Sequence, residues 1–317
     1  MSTLLVYRLY WVLRSGIRAA LCQPDSPSHI QPSIAHSAPA HTITVHPSKM
    51  FASAFVSLVL FTVAAQAGKR GLAWPWYNSP LDPGVLNNGQ GEVVAIYDWE
   101  TYAPPSTNGN GGLGFIGMQR CLDCSSSPIA DLASRQAAQG WATVFTLNEP
   151  DINGITPAQA ASWYIEYVNP LAIKKAFPAV TNSAAAGEGL SWLASMIADC
   201  AGACYVDYVN LHWYGSSFAD FQSHVEAAHS QFPAYQIVVT EFALDNPPGG
   251  QADQIAFFEQ AFPFLDDASY IQLYFPFVAT SPALLAANDA GAVSVVGTGS
   301  CLYNNDGSPS AVGNLMY

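Results

Sequence analysis

The chain has 317 residues, of which 10 are Lys or Arg and 23 are Asp or Glu, so its formal net charge is −13. Half of the residues are hydrophobic and only 10% are charged, while 24 Gly and 22 Pro occur without a regular period, which excludes a collagen, a coiled coil and a disordered acidic tail. The acidic balance also argues against a nucleic-acid or anionic-membrane partner, because both require clustered Lys and Arg.

The N-terminal part of the chain differs from the rest in charge. Residues 1–67 contain four basic residues and one acidic residue, whereas residues 68–317 contain six basic and 22 acidic residues. The hydrophobic run at 51–65 is too short to span a bilayer, and it ends in Ala65-Gln66-Ala67, which has the form of a signal-peptide cleavage site. We therefore expect a secretory signal peptide at 50–67, a doubtful or disordered N-terminal extension at 1–49, and no stable membrane anchor.

Residues 68–317 predict a single (β/α)8 TIM barrel of the α/β class, because short apolar runs alternate with helical stretches over a length typical of this fold. The eight predicted strands cover 71–76, 92–99, 114–119, 142–147, 179–184, 205–213, 236–240 and 270–275. The predicted helices cover 128–139, 157–176, 191–198, 218–231 and 251–265. A doubly wound nucleotide-binding sheet is the alternative, but no predicted strand leads into a glycine-rich phosphate loop.

Five cysteines lie in the predicted catalytic domain, four of them in two close pairs. Each pair is compatible with zinc ligation or with a disulfide, and an oxidising extracellular environment favours the disulfide. The simplest pairing joins Cys121 to Cys124 and Cys200 to Cys204, although four cysteines allow three pairings. Cys301 remains as an unpaired thiol, and we expect neither a metal nor another cofactor.

Two glutamates stand at the ends of predicted strands, where TIM barrels place their catalytic groups. Glu149 follows strand 142–147 and Glu241 follows strand 236–240, so about three βα units separate them and they should face one another across the barrel mouth. A carboxylate buried without a role costs free energy, and the six basic residues offer few ionic partners. Such a pair suits glycosidic cleavage, in which one carboxyl group is the acid/base and the other is the nucleophile.

Three segments carry a family resemblance: Asn148-Glu149-Pro150-Asp151, His212-Trp213-Tyr214-Gly215 and Thr240-Glu241-Phe242-Ala243. In this order and spacing they resemble the fungal members of glycoside hydrolase family 128, which are endo-β-1,3-glucanases on a retaining two-glutamate barrel. The resemblance implies that Glu149 is the acid/base and Glu241 the nucleophile. It also implies that Asn148 donates to the sugar 2-hydroxyl, and that His212 and Tyr214 orient the nucleophile or line the same subsite.

Aromatic residues at strand ends are candidate platforms for flat sugar faces. We expect about half of six such residues to touch substrate: Trp74, Trp76, Trp99, Trp213, Tyr274 and Phe277. Two segments, 117–121 and 274–277, depart from the family pattern at predicted sugar subsites. The reaction class is therefore better specified than the preferred glucan.

The sequence predicts a secreted, monomeric endo-β-1,3-glucanase that acts on β-1,3-glucan or its oligosaccharides with retention of configuration. One alternative is a retaining β-glycosidase of the same clan with another linkage preference, and a second is a non-catalytic glucan-binding cell-wall protein. Release of reducing ends from laminarin separates the binding protein from an enzyme. A zinc hydrolase is disfavoured, because the sequence has no His-Glu-x-x-His motif and only three histidines after residue 67.

Overall fold

The computed structural model describes residues 68–317, so the predicted extension at 1–49 and signal peptide at 50–67 lie outside the described residues. The strands pair in parallel within one sheet. In chain order they are β1 (Arg70–Ala73), β2 (Val93–Tyr97), β3 (Gly114–Phe115), β4 (Gly117–Gln119), β5 (Thr143–Asn148), β6 (Lys174–Val180), β7 (Tyr208–Gly215), β8 (Gln236–Leu244) and β9 (Ile271–Tyr274).

The sheet closes into a barrel through one interrupted strand. Strand order runs β3-β2-β1-β9-β8-β7-β6-β5-β4, so the two end strands are β3 and β4. Only Ile116 separates them along the chain, and its N–H donates to the carbonyl of Ile96 at 2.9 Å. Together β3 and β4 correspond to the single predicted strand 114–119. The predicted (β/α)8 barrel is confirmed.

Helices follow most of the strands, and parallel strands need such a cover because both of their faces are buried. The α-helices of the described residues are α1 (Leu132–Gln139), α2 (Pro157–Trp163), α3 (Gly189–Cys200), α4 (Phe218–Gln231), α5 (Gln251–Asp267), α6 (Pro282–Asn288) and α7 (Ala290–Val296). The start of α2 is as predicted, since Thr156 and Gln159 form a reciprocal capping box around Pro157. Within residues 68–317 no helix combines the length and apolar character needed to cross a membrane.

Apolar side chains of the strands alternate between two cores, as the period of a strand requires. On β1, Leu72 belongs to the large cluster shared with the helices, whereas Ala73 belongs to a smaller cluster that fills the barrel. The barrel interior is crowded around Phe275, and a Cβ on Gly71 would overlap its ring. The barrel interior is therefore a packed core, and the residues at the barrel mouth lie on top of it.

The largest error of the sequence prediction concerns β6. The strand was expected at 179–184 after a helix over 157–176, but β6 spans Lys174–Val180 and helical structure ends at Val168. Pro170 stops the helix, because proline clashes with the preceding turn and lacks an N–H. Inside β6, Pro178 and two lysines are atypical of a buried strand. Lys174 is accommodated by Asp207, whose carboxylate lies 2.6 Å from its ammonium group.

Two disulfides join Cys121 to Cys124 and Cys200 to Cys204, which confirms the simplest predicted pairing. The second bridge links the last residue of α3 to the loop that leads to β7. Cys301 is a buried free thiol. Both bridges close short loops, so their contribution to stability is local rather than a constraint between distant parts of the chain.

Candidate active site

Glu149 and Glu241 meet at the carboxyl end of the barrel. Glu149 is the first residue after β5, and Glu241 lies within β8, which continues to Leu244 and does not stop at 240 as predicted. His212 of β7 is the register partner of Glu241. One carboxylate oxygen of each glutamate and one ring nitrogen of His212 lie within 4.8 Å of one another. The structure thus brings the two predicted carboxylates together.

Donor groups hold both oxygens of the Glu241 carboxylate. The indole Nε1–H of Trp99 donates to Oε1 at 2.7 Å, and the hydroxyl of Tyr214 donates to Oε2 at 2.6 Å. Burial, and then the neighbouring Glu241, raise the pKa of Tyr214 well above its ordinary value, so this hydroxyl keeps its proton. Each oxygen of the Glu241 carboxylate therefore accepts a hydrogen bond from the protein.

Glu149 has a different environment. Its Oε1 lies 3.0 Å from Nδ1 of His212, whereas its buried Oε2 has no hydrogen-bond partner among the described residues. Burial raises the pKa of the Glu149 carboxyl, and this effect exceeds the opposing effect of the hydrogen bond and charge of His212. Glu149 thus suits a group that must carry a proton, with one oxygen left for a ligand.

The backbone around the site adopts sparsely populated conformations. Trp99, Leu147 and Glu149 have φ angles of 60°, 26° and 48°, in the left-handed region that non-glycine residues rarely occupy. Asp151 ties the strained segment to its neighbours, since its carboxylate accepts from the Thr181 hydroxyl at 2.6 Å and from the Gly189 N–H at 2.9 Å. These contacts hold in place the backbone segment that carries Glu149.

Asn148 ends β5 beside Glu149, as the predicted contact to the sugar requires. Its Oδ1 is buried with no partner among residues 68–317, and its backbone N–H donates to the carbonyl of Arg120 at 2.8 Å. A buried amide oxygen without a partner costs free energy until a ligand satisfies it. Oδ1 of Asn148 and Oε2 of Glu149 are therefore two neighbouring side-chain oxygens without a hydrogen-bond partner among the described residues.

The structure buries three of the six candidate sugar platforms, of which we expected about half to touch substrate. Trp74 is fully buried and donates from Nε1 to the carbonyl of Pro105, and Trp213 stacks on Phe257 of α5 behind the sheet. Tyr274 is also fully buried, with its hydroxyl donating to a carboxylate of α5. None of these rings has a face free for a sugar.

The other three predicted platforms remain accessible. Trp76, after β1, is 49% exposed. Trp99 and Phe277 are partly buried, with ring centroids 6.4 Å apart, and Phe277 also packs edge-on against Tyr214. Trp99 and Tyr214 both bond to the Glu241 carboxylate, and Phe277 packs against both, so Trp99 and Phe277 can contact a sugar bound there.

Basic side chains do not neutralise the two glutamates. The six Lys and Arg of the described residues contact other groups: Lys69 binds the carbonyls of Leu265, Asp266 and Ala268, Arg70 pairs with Asp266, Arg120 with Glu100, Arg135 with Asp131 and Lys174 with Asp207, and Lys175 donates to the carbonyl of Ile173. This distribution argues against an ordinary ion-pair role for Glu149 and Glu241.

Glu149, His212 and Glu241 form a group, within the described part of the chain, whose donor atoms are close enough to share a metal ion. However, both ring nitrogens of His212 face hydrogen-bond partners, Oε1 of Glu149 at 3.0 Å and Oγ1 of Thr240 at 2.9 Å. A metal would have to displace one of these partners. We interpret the group as a network that handles protons.

Sequence reasoning missed two residues of this network, Asn210 and Thr240. Both are fully buried, and the Thr240 hydroxyl donates to Oδ1 of Asn210 at 2.7 Å. A signal was present, because Asn210, His212 and Tyr214 are polar residues at alternate positions of an otherwise apolar strand. That pattern places all three on one face of β7, toward the barrel mouth.

Comparison with known proteins gives a match to the family model described as glycosyl hydrolase catalytic core, over residues 71–316. Among solved structures, a subgroup IV endo-β-1,3-glucanase of glycoside hydrolase family 128 from Lentinula edodes is 76% identical, with a TM-score of 0.77, covering 79% of this chain and 99% of that one. A curdlan-specific exo-β-1,3-glucanase of subgroup III from Blastomyces gilchristii, solved with glucose, is 25% identical, with a TM-score of 0.59, covering 78% and 97%.

Among curated proteins, alkali-sensitive linkage protein 1 of Schizosaccharomyces pombe is 28% identical over 259 residues. The match covers 78% of this chain but only 44% of that protein, so the chain spans less than half the length of this relative.

Proposed function

This chain belongs to glycoside hydrolase family 128, and from that premise we propose that it is a secreted endo-β-1,3-glucanase that retains the anomeric configuration. The 76% identity to the Lentinula edodes enzyme supports internal cleavage of β-1,3-glucan. The signal peptide predicted at 50–67 and the two disulfides support secretion to the extracellular space or cell wall.

The observation that carries the mechanism is the pair of unlike carboxylates at short distance. A carboxylate oxygen of Glu149 lies within 4.8 Å of one of Glu241. Retaining enzymes hold their carboxyl groups about 5 to 5.5 Å apart, whereas inverting enzymes need about 6.5 to 9.5 Å for the attacking water. The short separation supports direct attack by one glutamate on the sugar.

The two environments divide the roles. In the first step, Glu241 attacks the anomeric carbon while Glu149 donates its proton to the departing glycosidic oxygen. In the second step, Glu149 takes a proton from water, and the resulting hydroxide displaces Glu241 from the anomeric carbon. Two inversions restore the original β configuration. Asn148 contacts the sugar 2-hydroxyl in this proposal, and Trp76, Trp99 and Phe277 stack on sugar rings.

Product analysis tests the proposed activity. The purified mature protein is incubated with β-1,3, β-1,4, β-1,6 and mixed-linkage glucans, and the products are followed by chromatography and by proton NMR of the new anomeric centre. We expect mixed oligosaccharides from β-1,3-glucan early in the reaction, with the β anomer formed first. Release of glucose alone would contradict the endo mode, and no release of reducing ends would point to a glucan-binding protein.

A further inference from the structure

A buried chain of side-chain hydrogen bonds runs from Glu149 into the barrel wall. Nδ1 of His212 lies 3.0 Å from Oε1 of Glu149, and Nε2 of His212 lies 2.9 Å from Oγ1 of Thr240. The Thr240 hydroxyl continues to Oδ1 of Asn210 at 2.7 Å. His212, Thr240 and Asn210 are fully buried. Thr240 and Asn210 follow His212 in this series of hydrogen bonds, so any effect they have on Glu149 passes through His212.

The hydrogen bonds indicate the position of a proton. With the Asn210 amide oriented as in this structure, the Thr240 hydroxyl donates its single hydrogen to Oδ1, so its oxygen accepts from His212, while Nδ2 of Asn210 is buried without a hydrogen-bond partner among the described residues. Nε2 of His212 therefore carries a hydrogen. A second contact agrees, because Nε2 also lies 3.4 Å from Oε1 of Glu241. Without a hydrogen on Nε2, its lone pair would face this carboxylate oxygen, which is repulsive. Nδ1, which faces Glu149, is then left to accept or hold one further proton.

We propose that Thr240 and Asn210 are positioning residues that keep a proton on Nε2 of His212, so that Nδ1 shares a single proton with Glu149. The inference rests on the proposed role of Glu149 as acid/base. In the neutral pair the proton is on Glu149, and in the ionic pair it is on Nδ1, with the same total charge. His212 thereby keeps a proton available next to the acid/base.

The surrounding charges favour keeping this proton. Burial lowers the pKa of His212, but the carboxylates of Glu241, Glu149 and Asp151 raise it by more, and the net direction is upward. The titratable groups around the pair are Glu241 on β8, Asp151 beyond β5, Tyr214 on β7 and Tyr97 on β2, whose hydroxyl donates to the backbone carbonyl of Thr240 at 2.8 Å. The shared proton is thus lost only above the ordinary range of a carboxyl group.

Thr240→Val tests the proposal, because it keeps the shape of the side chain and removes the acceptor. Without that acceptor, the protonated pair loses a hydrogen bond, and neutral His212 can move its hydrogen to Nδ1 and donate to ionised Glu149. Both effects favour loss of the shared proton. We expect the basic limb of the pH profile of kcat/KM on laminari-oligosaccharides to move down by about one pH unit, and Thr240→Ser to restore it.

A matched control is available in the same barrel. The hydroxyl of Thr280 donates to Oδ1 of Asn78 at 2.5 Å, and both residues are fully buried. Thr280→Val therefore breaks an equivalent Thr–Asn hydrogen bond away from His212, and it should leave the basic limb at the wild-type position. Asn210→Leu is the second variant if Thr240→Val does not fold. Loss of the Asn210 acceptor frees the Thr240 hydroxyl to donate to Nε2 of His212, so this variant should move the basic limb in the same direction as Thr240→Val.

The ring proton is also observable without turnover. In protein labelled with ¹⁵N-histidine, we expect the His212 resonances to indicate a hydrogen on Nε2 in the wild type and on Nδ1 at high pH in Thr240→Val. A wild-type hydrogen on Nδ1 at high pH would overturn the proposal. The proposal would also be overturned if the basic limb of the pH profile lay at the same pH in Thr240→Val and Thr280→Val. It would likewise be overturned if the basic limb of Thr240→Ser did not return to the wild-type pH. Failure of the proposed function differs, because the wild type would then release no products while the NMR spectrum still reported the ring proton.

Discussion

Replacing Glu241 by alanine is expected to lower hydrolysis of β-1,3-glucan by at least about 10⁴-fold, because the proposed mechanism forms its glycosyl-enzyme bond on Glu241. The loss should be of similar size on an aryl β-glucoside with a good leaving group, since the nucleophile is needed whatever departs. Reducing-end assays on laminarin and release of the phenolate measure the two reactions.

Glu241→Gln and Glu166→Ala serve as controls for Glu241→Ala. Glu241→Gln keeps the volume of the side chain and should be as inactive as the alanine variant, whereas Glu166 is exposed on the outside of the barrel and its alanine variant should retain full activity. Thermal unfolding of each variant checks that the fold is intact. Substantial glucanase activity in a folded Glu241→Ala variant would rule out Glu241 as the nucleophile.

Replacing Glu149 by alanine is expected to separate the two substrates. An acid is needed when the leaving oxygen is a poor leaving group, so hydrolysis of glucan should fall by about 10² to 10⁴-fold. An aryl glycoside with a good leaving group needs no acid, so the glycosyl-enzyme should form rapidly and then accumulate, because no base activates water. A burst of phenolate followed by slow turnover measures this behaviour.

Azide distinguishes the two glutamates chemically, because it is a nucleophile that needs no base. In Glu149→Ala it should accelerate the slow second step and give a β-glycosyl azide. In Glu241→Ala it can only replace the missing carboxylate, and it would give the α-glycosyl azide. If azide gives a β product with Glu241→Ala and none with Glu149→Ala, the roles of Glu149 and Glu241 are exchanged.

The positions of the two glutamates on the barrel were predictable from sequence because they depend on local patterns. Each follows or interrupts an apolar β-branched run, and the carboxyl ends of parallel strands share one rim of the barrel. The boundary of β8 was less predictable. The strand runs four residues beyond the predicted end, to Leu244, since residues 241–244 continue to pair with β7 after the register shift at His212. Such a register shift depends on how β8 pairs with β7, and the sequence of β8 alone does not predict this pairing.

Burial of the aromatic residues was not predictable from their distance to a strand end. Trp74 and Trp76 are two residues apart, yet one is fully buried and the other is 49% exposed. The difference depends on Pro105 and Tyr303, which are distant in sequence and cover the Trp74 ring. Likewise, Trp213 alternates with His212 and Tyr214 on β7, so its side chain lies on the opposite side of the strand. Trp213 packs against the helices, whereas His212 and Tyr214 bond to the two glutamates. Tertiary contacts therefore decide which rings can reach sugar.

The hydrogen bonds of the network behind Glu149 were visible only in the structure. The sequence places Thr240 beside Glu241 and Asn210 two residues before His212, but it does not tell which of these side chains bond to one another. Their contacts cross from β7 to β8, with hydrogen bonds of 2.7 and 2.9 Å. Cross-strand distances of this kind depend on register, and the β7–β8 pair contains a register shift between Leu211 and His212.

Covalent trapping tests the central claim of a retaining mechanism through Glu241. The protein is incubated with an activated 2-deoxy-2-fluoro laminaribioside, whose fluorine slows both steps and whose good leaving group lets the glycosyl-enzyme accumulate. The labelled protein is digested, and the modified peptide is sequenced by mass spectrometry. We predict one label per chain, attached to Glu241. A label on Glu149, or an active enzyme that forms no adduct and releases the α anomer, would contradict the account.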